Sequence, residues 1–375
     1  MKNLFKNIMF KKISLATLAI VLVVGGFLVF FSTPVLAAHT QNTTITPTPT
    51  KGNTATLFTI NISVAGGADS VDYVRITKPT EYNSLSCGAA PTNWSIDSST
   101  GTQCAYTTVT APIVSGANKD FTVTATTSSS TGTYTWGTLT RDSTLLTVSD
   151  TADTVVDADA PTTTISGIDI SDDTGTLDSD FVTKTASQTI TGTLSVGLAG
   201  GEILYGSIDA GANWINITGK ASGTAISWDG ATLSSTSSIK MKVTDAVGND
   251  GTIATQDYIL DTSAPTTTIS GIDISDDTGT LDSDFVTKTA SQTITGTLSD
   301  TPTVTDIVYG SVNNGGAYTN ITGMVSGTTI TWTGVTLSGS STIKFKITDL
   351  AGNDDVIATT QDYTLDTAAP TANFG

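Results

Sequence analysis

A chain of 375 residues has room for two or three domains of ordinary size. Its 16 Lys and Arg against 34 Asp and Glu leave a net charge of −18, which repels nucleic-acid phosphates and argues against adsorption to anionic lipid. Every acid except Glu81 and Glu202 is Asp, a turn former that is poor inside helices, and Thr, Ser and Gly fill much of the rest. The predicted class is therefore all-β.

The chain opens with Lys2, Lys6, Lys11 and Lys12, followed by an apolar run from Ile13 to Phe31 and the small residues of Val35-Leu36-Ala37-Ala38. This is the layout of a secretory signal peptide, predicted here as a helix over residues 1–38. The run of 19 residues is also long enough to be retained as a membrane anchor, and both readings place the rest of the chain outside the cytoplasm. Cleavage would remove four lysines and no acid, leaving 12 against 34 and a charge of −22. Contact with a membrane is expected only through residues 13–31, if they stay uncleaved.

Residues 39–52, with Thr46-Pro47-Thr48-Pro49-Thr50, read as an extended, exposed lead-in. Residues 53–157 read as an N-terminal β-sandwich. Phe58, Ile60, Ile62 and Val64 alternate with Thr59, Asn61 and Ser63, and Phe121, Val123 and Ala125 repeat the pattern. The only cysteines, Cys87 and Cys104, lie in this exported segment. An even count in an oxidising compartment predicts a disulfide worth roughly 3 kcal/mol; the other reading is two buried thiols. No other soft ligand is present to make a zinc site with them.

Residues 160–195 and 264–299 are identical letter for letter, at an offset of 104. Beyond them the copies diverge but stay in register: Tyr205 with Tyr309, Asn216 with Asn320, Trp228 with Trp332, and Gly248-Asn249-Asp250 with Gly352-Asn353-Asp354. Thr360 is a one-residue insertion, after which Asp261 matches Asp366 and Pro265 matches Pro370. The boundaries predicted are 158–264 and 265–369, with residues 370–375 beginning a third, truncated copy of a longer array. Such a period is too long for a solenoid and suits a self-contained sandwich. Ile239, Met241 and Val243, and in the second copy Ile343, Phe345 and Ile347, are placed on apolar strand faces. Gln188, Ile190, Gly192 and Leu194 form another face, Ile226 shares one with Trp228, and Tyr363 shares one with Leu365.

Within each copy the acids cluster. Asp169, Asp172, Asp173, Asp178 and Asp180 fall within twelve residues around Gly175, and recur as Asp273, Asp276, Asp277, Asp282 and Asp284. Clustered hard oxygens suit calcium, although the spacing is not that of an EF-hand; the plainer reading is a solvated turn whose Asp side chains cap backbone amides.

The repeat resembles the bacterial Ig-like domains found in tandem in large secreted adhesins and biofilm proteins. The likeness is carried by Ala160-Pro161-Thr162, Ser171-Asp172-Asp173-Thr174-Gly175, Val243-Thr244-Asp245-Ala246-Val247-Gly248-Asn249 and Tyr258-Ile259-Leu260-Asp261-Thr262. The same features recur in the second copy, so the resemblance covers residues 160–369. It implies tandem Ig-like β-sandwiches, with structural calcium at the domain junctions. Carried over, it assigns Asp261 with Asp276 and Asp277 to the second junction, and Asp157 or Asp159 with Asp172 and Asp173 to the first. Asp366 holds the position of Asp261 at the end of the second copy.

Catalysis is not expected. His39 is the only histidine, so Ser-His-Asp, Cys-His and His-type zinc chemistry lack their parts. The carboxylates lie in turns, and identical copies would mean duplicate active sites. Pilin-type Lys–Asn cross-links need a Glu, and the second copy has none. Trp94, Trp136, Trp214, Trp228 and Trp332 are assigned to core packing before sugar stacking. The sequons at Asn42, Asn61, Asn93, Asn216 and Asn320 are expected by chance in so Thr-rich a chain. The functional expectation is a secreted or cell-surface adhesin or stalk, with an unidentified glycan or protein as surface ligand. The alternatives are an accessory region of an extracellular polysaccharide-active enzyme and a surface-layer subunit.

Overall fold

The computed structural model describes residues 17–24, 27–34, 39–66, 70–355, 359–369 and 371. The helix expected over residues 1–38 is not shown. Thr17–Val24 and Phe27–Pro34 are antiparallel strands, paired from Thr17 with Pro34 to Val24 with Phe27. Among the described residues no helix is long and apolar enough to cross a membrane. The candidate cleavage residues Val35–Ala38 lie outside the described set.

The chain divides into two units, Met1–Ala160 with Ala246–Asn249, and Pro161–Asp245 with Asp250–Gly375. In the first, a four-stranded sheet runs in the order Thr40–Thr46, Ala55–Ala65, Asn118–Thr126, Ser84–Cys87. A six-stranded sheet runs Thr50–Lys51, Thr147–Asp157, Gly132–Asp142, Val71–Thr77, Gln103–Thr107, Ser95–Ser99. Their inner faces close over Phe58, Ile60, Ile62, Phe121, Val123, Tyr106 and Trp136, all buried. The alternation read in the sequence is thus the alternation of core and solvent, and each such side chain contributes about 1.5–3 kcal/mol on burial. Cys87 and Cys104 are disulfide-bonded and tie one sheet to the other.

The lead-in of residues 39–52 is not an exposed arm. Thr40–Thr46 is an edge strand on Ala55–Ala65, and Thr50 and Lys51 pair with Val156 and Asp157. The cause is the same period of two: Thr43 and Ile45 point inward and are buried, as are His39 and Thr50.

The second unit holds both repeats, each with its own buried cluster, one around Ile190, Trp228, Met241 and Tyr258, the other around Ile294, Trp332, Phe345 and Tyr363. In the first repeat one sheet runs Ile165–Ile170, Ser187–Leu194, Ala225–Thr232, Ala221–Ser222. The other runs Val182–Thr183, Ala254–Leu260, Ser237–Thr244, Ile203–Ser207, Ile215–Asn216. The second repeat has the same order in both sheets. Gly206 is required by the packing: a Cβ there would lie 2.5 Å from Trp228 Cζ3, and at Gly310 one would lie 2.6 Å from Trp332 Cζ3. A bare backbone lets each indole cross its strand.

Candidate functional site

The acidic turn of the first repeat begins where Ile165–Ile170 ends. It returns through Val182–Thr183, which pairs in parallel with Ile259 and Leu260. Most of its carboxylates are spent on the turn itself. Asp169 accepts from the Ile170 amide at 2.9 Å, Asp173 Oδ2 from Phe181 at 2.9 Å, and Asp180 Oδ1 from Val182 at 3.0 Å. Asp172 contributes its carbonyl, which accepts from Thr183 Oγ1 at 2.6 Å and Gln188 Nε2 at 3.1 Å; its side chain and that of Asp178 are exposed. The second repeat copies the scheme with Asp273, Asp277 and Asp284 on the amides of Ile274, Phe285 and Val286, Asp276 presenting its carbonyl, and Asp282 exposed.

Two oxygens stand apart. Asp173 Oδ1 and Asp277 Oδ1 are buried without a hydrogen-bond partner. Burial pushes the Asp173 carboxyl above its ordinary value, with the charges of Asp180 and Asp169 adding to the rise and the Phe181 amide opposing it. Asp169, Asp173 and Asp180 are therefore electrostatic neighbours. Among the described residues, however, no three His, Cys, Asp or Glu side chains come close enough together to hold one metal ion.

The pairing of Asp261 with Asp276 and Asp277 is not what the structure makes. Because Val182–Thr183 runs beside the end of Ala254–Leu260, the chain leaves the first repeat against its own acidic turn, where the Asp261 amide donates to Thr183 O at 2.9 Å. Asp276 and Asp277 lie beyond the far end of the Ile269–Ile274 strand, next to Thr287 and Asp366, whose amide donates to Thr287 O at 2.8 Å. What meets Asp261 is the 349–354 loop of the second repeat. Asn353 Nδ2 donates to Asp261 O at 2.9 Å, Thr174 Oγ1 donates to Ala351 O at 2.8 Å, and Lys184 Nζ donates to Gly352 O at 2.5 Å. Asp349 shapes this loop by accepting from the Asn353 amide and side chain. Gly352, at φ +86°, leaves no space for a side chain, since a Cβ would lie 2.3 Å from Thr174 O.

In the first unit Asp157 Oδ1 accepts from the amide of Asp159, whose own side chain is exposed, and Asp157 O accepts from Asn249 Nδ2 at 2.9 Å. The side chains of Asp261 and Asp366 likewise cap Ser263 and Ala368. The backbone oxygens of Asp157 and Asp261, with no residue signature, were the part that sequence reasoning missed.

It also missed a repeated lysine clamp. Lys242 Nζ lies 4.6 Å from the Trp214 ring and 2.7 Å from Asp250 Oδ2; Lys346 Nζ lies 4.8 Å from the Tyr318 ring and 3.0 Å from Asp354. Against the cost of its burial, the Thr348 hydroxyl and the Lys346 ammonium hold Asp354 below the usual carboxylate range. Trp214 is therefore not a core residue like the other four tryptophans but a half-buried lid on Lys242. The signal was present in the matched pair Tyr205 and Tyr309, which border the same lysines. His39 is buried, with Nε2 2.7 Å from Thr140 Oγ1 and Nδ1 3.5 Å from Asp142 Oδ2.

No family model matches the chain, and no curated protein matches it. Its neighbours among solved structures include bacterial adhesin and biofilm-protein domains. One is described as a Ca2+-stabilized adhesin that helps an Antarctic bacterium reach out and bind ice (16% identity, 92% of this chain and 80% of that one covered, TM-score 0.37). Another is a 1.5-MDa bacterial ice-binding adhesin (16% identity, 88% and 98% covered, TM-score 0.29). A third is the BSP domain of a biofilm-associated protein (9% identity, 88% and 67% covered, TM-score 0.26).

Proposed function

We propose that the chain is a secreted or cell-surface, non-catalytic protein in which the repeats serve as spacers for adhesion. The observation that carries this is the pair of repeats with separate cores, joined through a polar junction built from side chains and carbonyls. Repeating a complete fold adds reach or valency rather than chemistry. The single histidine is packed against Thr140 and Asp142, and the carboxylates are engaged in turns, which supports a non-enzymatic role. The surface ligand, a glycan or protein, is assigned to the first unit. Residues 1–38 supply the export signal or, if retained, an anchor.

Cells displaying the chain test this against glycan- and protein-coated surfaces. Removing repeats lowers cell adhesion but leaves the affinity of soluble first unit for the same ligand unchanged. A repeat-dependent change in soluble affinity, or turnover of the glycan, contradicts the spacer reading.

Calcium belongs to the same proposal. Hard carboxylate oxygens are the right donors, and the orphaned Asp173 Oδ1 beside Asp169 and Asp180 supports the fit, as does Asp277 Oδ1 beside its own turn. Since no three such side chains among the described residues stand close enough to hold one ion, calcium would have to draw Asp169, Asp173 and Asp180, or their counterparts Asp273, Asp277 and Asp284, closer together. Calcium at one hundred times its dissociation constant would stabilise a repeat by about 2.7 kcal/mol. An unchanged melting temperature between millimolar calcium and chelator removes calcium from the account.

A further inference from the structure

The two repeats provide an internal control, because residues 160–195 and 264–299 are identical and any difference between them comes from their surroundings. Val182 is 6% exposed and its counterpart Val286 is 37% exposed. Thr174 and Gly175 are half-buried, whereas Thr278 and Gly279 are exposed. A Cβ on Gly175 would meet Leu350 O at 2.8 Å, while at Gly279 the nearest atoms belong to its own turn. The difference is the 349–354 loop, which covers the first copy of this face and not the second.

The same pair of bonds occurs twice. Lys184 Nζ and Asp261 O grip Gly352 and Asn353; in the first unit, which includes residues 246–249, Lys51 Nζ and Asp157 O grip Gly248 and Asn249. Both gripped segments read Asp-x-x-Gly-Asn, at 245–249 and 349–353. The groups doing the gripping are a lysine and the carbonyl of the Asp that ends a domain. The second repeat carries a third such pair, Lys288 and Asp366. Lys288 is exposed, and among the described residues its Nζ has no hydrogen-bond partner.

We propose that Thr278, Gly279, Val286, Lys288 and Asp366 form a docking face for the Asp-x-x-Gly-Asn loop of a further repeat of the same kind, joined through the linker after Asp366. The occupant is fixed by the chemistry. The loop offers a glycine carbonyl to the ammonium, a carboxamide to the Asp carbonyl, and a glycine surface flat enough to lie on Thr278. A second copy of this chain has no such loop to spare, because both of its loops are already engaged. The proposal takes from the spacer reading only that repeats stack; its geometry stands without any adhesive role.

The test compares the chain with one in which residue 371 is followed by another copy of residues 267–369. Both are acetylated under limiting reagent and each lysine is read by mass spectrometry. In the unextended chain Lys288 reacts about fivefold faster than Lys184, the factor for one net hydrogen bond. In the extended chain Lys288 slows to the rate of Lys184, and Ala in place of the added loop's Asn restores it. Undiminished reaction at Lys288 in the extended chain overturns the proposal. So does Asn353→Ala in the unextended chain if it leaves Lys184 as protected as before, a result that does not depend on folding of the added copy. Neither result bears on adhesion, whose failure is read separately from the display assay.

Discussion

Gly206→Ala tests the packing of the first repeat at its tightest point. The new Cβ would lie 2.5 Å from Trp228 Cζ3 and 2.9 Å from Ile217 Cδ1. Neither neighbour can retreat, since Trp228 is 5% exposed and Ile217 3%, and the opposite face is filled by the other sheet. Overpacking of this kind costs about 1–3 kcal/mol. For a domain of this size that lowers the midpoint by roughly 4–24 °C, at about 4–8 °C per kcal/mol. Gly310→Ala repeats the experiment against Trp332, with a closest approach of 2.6 Å. Gly219→Ala is the control, because no atom lies within 4 Å of a Cβ there. Calorimetry on the whole chain reads all three. If Gly206→Ala melts within about 0.5 kcal/mol of the control, the size expected of an innocuous surface change, the indole does not cross the strand as described.

Replacing both Cys87 and Cys104 by Ala removes a cross-link spanning 17 residues and destabilises the first unit by about 3 kcal/mol, measured as a lower calorimetric midpoint with the repeat transitions unmoved. Asp209 is held down to about 2 by the Ser207 hydroxyl and the Asn213 amide and side chain. Its contribution to stability is therefore complete above the ordinary carboxylate value of 3.8 and is lost as pH falls from there towards 2. Asp209→Asn flattens that acid limb without unfolding the turn, because Asn313 makes the equivalent bonds to Ser311 and Ala317 in the second repeat; an unchanged acid limb in pH-dependent melting refutes it.

Much of the fold was legible because strands with one wet face write their period into the sequence. Ile239, Met241 and Val243, and Ile343, Phe345 and Ile347, are all fully buried, as alternation required. The sandwich architecture followed from the number of such segments and the turns between them. The junction was not legible. Asn249 and Asn353 were visible as matched letters, but their acceptors are the carbonyls of Asp157 and Asp261, and every residue has a carbonyl. Reading Asp261 by its carboxylate therefore pointed away from the 349–354 loop that its carbonyl meets. The edge strand Thr40–Thr46 was hidden by the Thr-Pro run that follows it; only Thr43 and Ile45 face inward strongly enough to be buried. Residues 13–31 are apolar on every side, a pattern that suits a buried helix or paired strands equally, and there periodicity has nothing to say.

Pulling the chain from its two ends reads most directly whether each repeat is its own folding unit. The separate clusters around Trp228 and Trp332 predict two distinct events of similar size. Each should release about 35 nm of chain, from roughly 3.3–3.6 Å per residue of a repeat. One event of twice that length would mean that the two repeats share a single cooperative core, and would contradict the account.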